Sequence, residues 1–294
     1  ESTAGEAITN CLADARWRVR ATALEAIGKL AAKLGDPDEI SEKVLTLLED
    51  EDDFVRFAAI KTLSSLGAAN SVERVEELFL AHDEMKGPVV EALVRMDAPL
   101  PQSFSKTMKK ADSDVILAVL GGLENAESHE LDLARELATH SDLDVACSAL
   151  RLLAKKAGSD SRNLDFARNA LQSGVAEKVA AVVENLWIDH DVISSYRVQR
   201  QTAGRTNDAA AARLDSVYRA FLGEQSRDPV LVAGELLASV QQIFESEEHS
   251  TLVRFQAGVI LLRAGHAEVV PFFRANLDEF TTDQHEAIIY AASN

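Results

Sequence analysis

Apolar side chains in this chain recur in clusters at helical spacing. Val19, Ala23, Leu24 and Ile27 form one cluster, and Val55, Ala59, Ile60 and Leu63 repeat it. Steps of three and four residues lay side chains along one face of an α-helix. Weaker copies follow at Ala92, Leu93 and Met96, at Val115, Val119, Leu120 and Leu123, at Val145, Ala149, Leu150 and Leu153, and at Val182, Val183 and Leu186. Upstream of each lies a second amphipathic segment, at 40–48, 72–80, 104–108, 131–137 and 164–171. Short acidic or glycine-containing stretches at 35–38, 49–53 and 158–160 separate them, as turns require. The pattern predicts helix, turn, helix, turn along most of the chain.

The clusters are copies of one another. Sliding 14–28 onto 50–64 matches Asp14 to Asp50, Val19 to Val55, Arg20 to Arg56, Ala23 to Ala59, Leu24 to Ile60 and Ile27 to Leu63, an offset of 36 residues. That length fits two helices and two turns. A third copy reads Val253, Arg254, Phe255, Gln256 and Ala257, with Leu261 in the place of Leu63. The pattern D-x-x-x-x-V-R-x-x-A-x-x-x-L, carried by Asp14/Val19/Arg20/Ala23/Ile27 and Asp50/Val55/Arg56/Ala59/Leu63, resembles HEAT repeats, especially the short type found in phycobilisome lyases. The resemblance implies an all-α fold, an α-solenoid wound as a right-handed superhelix of about seven to eight helix pairs. It also implies that Asp14, Asp50 and Asp83 are turn residues and that Arg20, Arg56 and Arg254 form a polar ladder between neighbouring repeats. Ile116, Ala146 and Val179 stand where that arginine belongs, so the ladder is expected to break in the middle. For function the resemblance is nearly silent, because this repeat serves scaffolds, transport factors, lyases and hydroxylases alike.

Between Leu186 and Pro229 the period fails, and 187–208 shows no clear apolar repeat. The chain is therefore read as repeats over 1–187, an irregular insertion at 188–208, and repeats of the same solenoid over 209–294, beginning with a helix at 209–222. A long irregular segment inside an array is a candidate binding element or hinge, or a solvated insertion. It gathers Arg197, Arg200, Arg205 and Arg213 in an otherwise acidic chain. The second candidate surface belongs to the second helix of each pair, which the resemblance places on the concave side. Arg16, Trp17, Arg18 and Arg20 cluster there, with Arg56 in the next copy and Arg151, Lys155 and Lys156 in a later one. A tryptophan flanked by arginines suits an interface anchor, or packs against the end repeat.

Composition supports helices over sheets: apolar residues make up 47% of the chain but aromatics only 5%. The balance of 48 acidic to 30 basic residues gives a net charge of −18. Such a field repels nucleic acid and anionic membranes, whose binding needs clustered lysine and arginine, and it steers a protein partner with a basic surface or segment toward the chain. No apolar run approaches the length of a membrane span, and residues 1–7 lack a signal-peptide pattern. Cys11 and Cys147 are too far apart in sequence to suggest a disulfide framework, so a reducing, cytoplasmic compartment and a monomer are expected. The chain opens on Glu1 rather than methionine, so a regulatory domain of a larger protein stays open.

Catalytic signals are weak. Deoxyhypusine hydroxylases, built on this repeat, bind iron through four His-Glu pairs, whereas only His129-Glu130 and His285-Glu286 occur here, on different helices of their repeats. Asp189, His190 and Asp191 adjoin in sequence but point apart. Neither HExxH, a phosphate-binding glycine loop nor GxSxG occurs. The expectation is a non-enzymatic scaffold without cofactor, binding a protein through the concave helices and the 187–208 segment. The alternative is a bilin lyase-like or iron hydroxylase-like enzyme on the same platform.

Overall fold

A computed structural model describes residues 2–30, 37–126, 131–157, 161–188, 190–203 and 229–293. Among these residues there is no strand, and the protein is an all-α solenoid. The chain forms two units, Glu1–Glu136 and Leu137–Asn294.

In the first unit α1 (Ser2–Asn10) precedes α2 (Trp17–Leu30), and pairs follow as α3 (Pro37–Leu45) with α4 (Asp53–Leu66), α5 (Val72–Ala81) with α6 (Lys86–Arg95), and α7 (Gln102–Met108) before α8 (Ser113–Gly122) and α9 (Asp132–Leu137). The second helices pack in series, α2 on α4, α4 on α6 and α6 on α8, while α3 and α5 each back their own partner. The stripe seen in sequence is what this packing hides. Leu24, Ile27, Val55, Ala59, Ile60, Leu63, Val89, Val90, Leu93, Val119 and Leu120 are all fully buried or nearly so. Fully burying one such side chain is worth about 1.5–3 kcal/mol, and a single pair has no partner against which to do it.

Local chemistry sets the helix ends. Asp52 caps α4, its carboxylate accepting from the Phe54 N–H at 2.9 Å, and Gly67 ends that helix in the left-handed region at φ 64°. Helices α6 and α8 approach until backbone meets backbone. A Cβ added at Gly87 would lie 2.7 Å from the Ala118 carbonyl oxygen, and one at Gly122 2.6 Å from the Gly87 oxygen.

The second unit holds α10 (Leu143–Lys155), α11 (Ser161–Leu171), α12 (Ala176–Val183), α13 (His190–Ala203), α14 (Pro229–Glu245), α15 (Thr251–Arg263), α16 (Val270–Ala275) and α17 (Thr282–Ser293). Here α10 packs on α11 and α12, α11 on α14, α14 on α15, and α15 on α17. Where the ladder arginine is missing, Ile116, Ala146 and Val179 are buried, so these positions serve the apolar core instead.

The stretch expected to be irregular is largely helical. Helix α13 covers most of it and packs on α14. Ile193 is buried, the Tyr196 ring passes Gly234, and the Tyr196 hydroxyl lies 3.2 Å from Nε2 of His266, whose Nδ1 lies 2.8 Å from Glu268. Among the described side chains of α13 Ile193 alone is buried, so the helix shows little apolar period in sequence. The helix anticipated at 209–222 lies outside the described residues.

Candidate functional site

The expected ladder is present in the first unit. Arg20 reaches from α2 to the turn before α4 and grips the Asp50 carboxylate with two hydrogen bonds, Nε to Oδ2 at 2.8 Å and Nη2 to Oδ1 at 2.7 Å. Its Nη1 donates to the Asp14 and Ala15 carbonyls. One turn on, Arg56 donates to the Asp50 carbonyl at 2.7 Å, pairs with Asp53, and lies 3.6 Å from Glu84. Burial raises the Asp50 carboxyl's pKa, but the Arg20 hydrogen bond, the Asp52 N–H and the nearby guanidinium charges outweigh it, and the group sits below its usual range. At the next repeat buried Lys86 stays within its own helix pair: it pairs with Asp83 and places its ammonium 5.5 Å from the Phe79 ring centroid.

Arg20 and Arg56 therefore leave the set of candidate contact residues. Arg20 is 8% exposed, and the Arg56 side chain is 13% exposed with its Nε buried and without a hydrogen-bond partner. They face inward because their partners lie in neighbouring turns. Arg254 takes the same place in the second unit, donating from Nε to the Phe244 carbonyl at 3.0 Å and lying over the Phe272 ring.

The opposite face of these helices is open. A groove of about 710 Å³ runs along α2, α4 and α6, lined by Trp17, Phe54, Phe57, Ala58 and Pro88, with Arg18, Glu25, Lys29, Lys61, Glu91 and Arg95 among its charges. Trp17 stacks on Phe54 at 5.4 Å between ring centroids, and the Arg18 guanidinium lies 4.8 Å from the Trp17 ring centre. Phe54 is 66% exposed, a large apolar surface left in water. On the groove's floor Thr62 donates from its buried hydroxyl to the Leu24 carbonyl at 2.8 Å, tying α4 to α2. Sequence reasoning placed Trp17 and Arg18 here but missed Phe54, Phe57, Lys29, Lys61 and Arg95. A signal existed: Phe54 falls outside the stripe of Val55, Ala59, Ile60 and Leu63, where a surface helix carries a polar residue.

Among solved structures, two crystal structures of engineered proteins align with the chain. One covers 100% of this chain and 92% of the other at 16% identity with a TM-score of 0.34. The second covers 99% and 95% at 15% identity with a TM-score of 0.29. No curated protein matches. Residues 5–94, which hold α2, α4 and nearly all of α6, match the family model of HEAT repeats. Over residues 5–94 the chain carries HEAT repeats. The groove thus lies on the HEAT repeats themselves.

The other sequence candidates stand apart from it. Arg16 is exposed and bound to Asp14 through Nε and Nη2, both at 2.9 Å, and this hydrogen-bonded pairing holds the Asp14 carboxyl at a pKa of about 2. Arg151 and Lys155 are exposed on α10 in the second unit. Arg197 is half-buried against Gly265, a residue at φ 85°. The Arg200 side chain, Arg205, Arg213, His129, Glu130 and Asp189 lie outside the described residues. His285 places Nε2 3.0 Å from the Leu277 carbonyl oxygen. Cys147 is buried, and that burial raises its thiol pKa, against the needs of a nucleophile. Among the described residues no helix is long and apolar enough to cross a membrane.

Proposed function

We propose that this HEAT-repeat protein is an interaction scaffold rather than an enzyme, and that its groove along α2, α4 and α6 is where a protein partner docks. HEAT repeats commonly serve as protein-interaction scaffolds. The observation that carries the reading for this chain is exposed Phe54 stacked on half-buried Trp17 in the groove along α2, α4 and α6. Aromatic side chains supply large contact area for little lost rotamer entropy, and a site held in place before binding loses less freedom when it is occupied. At long range the net charge of −18 steers partners with basic surface toward the molecule.

Photo-crosslinking tests the reading. Benzoylphenylalanine replacing Phe54, and in a control replacing Leu80, which is exposed on α5 outside the groove, is irradiated in an extract of the source cells. A discrete protein adduct is expected from position 54, absent from position 80 and lost when Trp17→Ala is added. Equal adducts from both positions, or none from 54, would refute it.

A further inference from the structure

We infer that the groove's occupant is an acidic peptide segment with an apolar anchor, a partner chemistry opposite to the one the net charge suggests. The inference rests on the scaffold reading of the groove. Four basic side chains line it, Arg18, Lys29, Lys61 and Arg95, against two acidic ones, Glu25 and Glu91. Arg95 is engaged with Glu91 at 2.8 Å. Arg18, Lys29 and Lys61 are exposed and have no ion-pair partner among the described residues, and the Arg18 guanidinium lies over the Trp17 ring. With Glu25 the sole unengaged carboxylate, the groove carries an excess of positive charge inside a chain of charge −18.

Distance decides which field matters. At physiological ionic strength charges are screened over roughly 8 Å, so the whole-chain field guides approach while the side chains in contact select the occupant. A basic segment would meet Arg18, Lys29 and Lys61 with like charge. An acidic one would complete their pairing.

Apart from Arg18, which lies over Trp17, the groove separates its aromatic from its basic side chains along its length. Trp17, Phe54 and Phe57 stand near the N-terminal ends of α2 and α4, whereas Lys29 and Arg95 stand in the last turns of α2 and α6. Lys61 follows Phe54 by seven residues and Lys29 follows Trp17 by twelve, which at 1.5 Å per residue separates the aromatic and basic ends by roughly 10–18 Å. An extended chain spans that gap in about three to five residues. The segment thus carries an apolar side chain for the Trp17–Phe54 shelf and carboxylates about three to five residues away.

The experiment is selection from a random dodecapeptide display library on the full chain, followed by titration of the enriched peptides against the native protein, F54A and K29E/K61E. The substituted side chains are exposed, so thermal melting by circular dichroism is expected to stay unchanged. Enriched peptides are expected to pair an aromatic or branched apolar residue with clustered Asp and Glu. Both variants are expected to bind them roughly tenfold more weakly or worse, and 0.5 M salt to weaken native binding likewise. Neutral or basic peptides that still depend on Phe54 would overturn the acidic assignment and leave the groove as a docking site. No enrichment, or peptides that bind all three proteins equally, would overturn both.

Discussion

The Arg20–Asp50 clamp fixes two neighbouring repeats, and its energetic share follows from its surroundings. The Arg20 and Asp50 side chains are 10% and 6% exposed, so Arg20→Met leaves a buried carboxylate without its bidentate partner. Breaking a buried pair from one side costs about 3–5 kcal/mol. Asp50 keeps the Asp52 N–H at 3.0 Å and Arg56 nearby, which puts the loss near the lower end, about 3 kcal/mol. Arg20→Met/Asp50→Asn removes both charges together, and its cost is expected to fall short of the sum of the single losses by about 1.5 kcal/mol or more. The chain's two tryptophans permit a local assay: in a Trp187→Phe background, Trp17 fluorescence during urea unfolding reports the α2–α4 pair. Acid supplies a second readout. Asp50 is held below its usual 3.8, so the clamp contributes fully above that value and loses its contribution as pH falls through the folded pKa. The gap between native protein and Arg20→Met should close on acidification, while the gap between Asp50→Asn and the double variant stays flat. A coupling below about 0.5 kcal/mol, or a gap that widens in acid, would refute the assignment of Arg20 as a clamp.

Two further outcomes follow from contact distances and burial. Gly87→Ala and Gly122→Ala should each destabilise the first unit by about 1–3 kcal/mol despite alanine's better helix propensity, because their Cβ atoms would meet neighbouring backbone, whereas Gly121→Ala, with nothing within 4 Å, should be neutral or stabilising in the same urea assay. Under native conditions iodoacetamide should alkylate half-exposed Cys11 well before buried Cys147, whose thiol pKa is raised; equal rates by mass spectrometry would contradict the packing of α10.

How much was legible in the sequence depended on whether a position answers to its neighbours in the repeat. The stripe and the Arg20–Asp50 relation were readable because stacking forces the same residues to recur 36 positions apart. Lys86 escaped notice because its copy lies only 30 residues after Arg56, starts Met-Lys instead of Val-Arg, and uses an ammonium where the others use a guanidinium. Helix α13 was missed because its inward edge is carried by Ile193 and Tyr196 amid polar residues, too sparse for a period to show. The groove was half visible. Trp17 beside Arg18 drew attention, but arginine identity alone did not separate Arg18, which faces the groove, from Arg20, which two residues later turns into the clamp.

That two-residue separation states how the protein divides its labour. On an α-helix, residues two apart face different directions, so one short run supplies both a clamp residue and a groove residue without conflict. The clamp and the buried stripe carry the stability of the α2–α4 contact, and exposed side chains such as Phe54, Lys29 and Lys61 contribute little to it. Substitutions on the groove face are therefore expected to leave the α2–α4 contact intact. Phe54 is 66% exposed and stacks on Trp17, so the two rings together leave an apolar surface at the groove rather than an isolated exposed side chain. On the proposal that the groove holds a partner, Phe54 stacked on Trp17, beside a floor that includes Thr62, is the apolar surface that the partner covers.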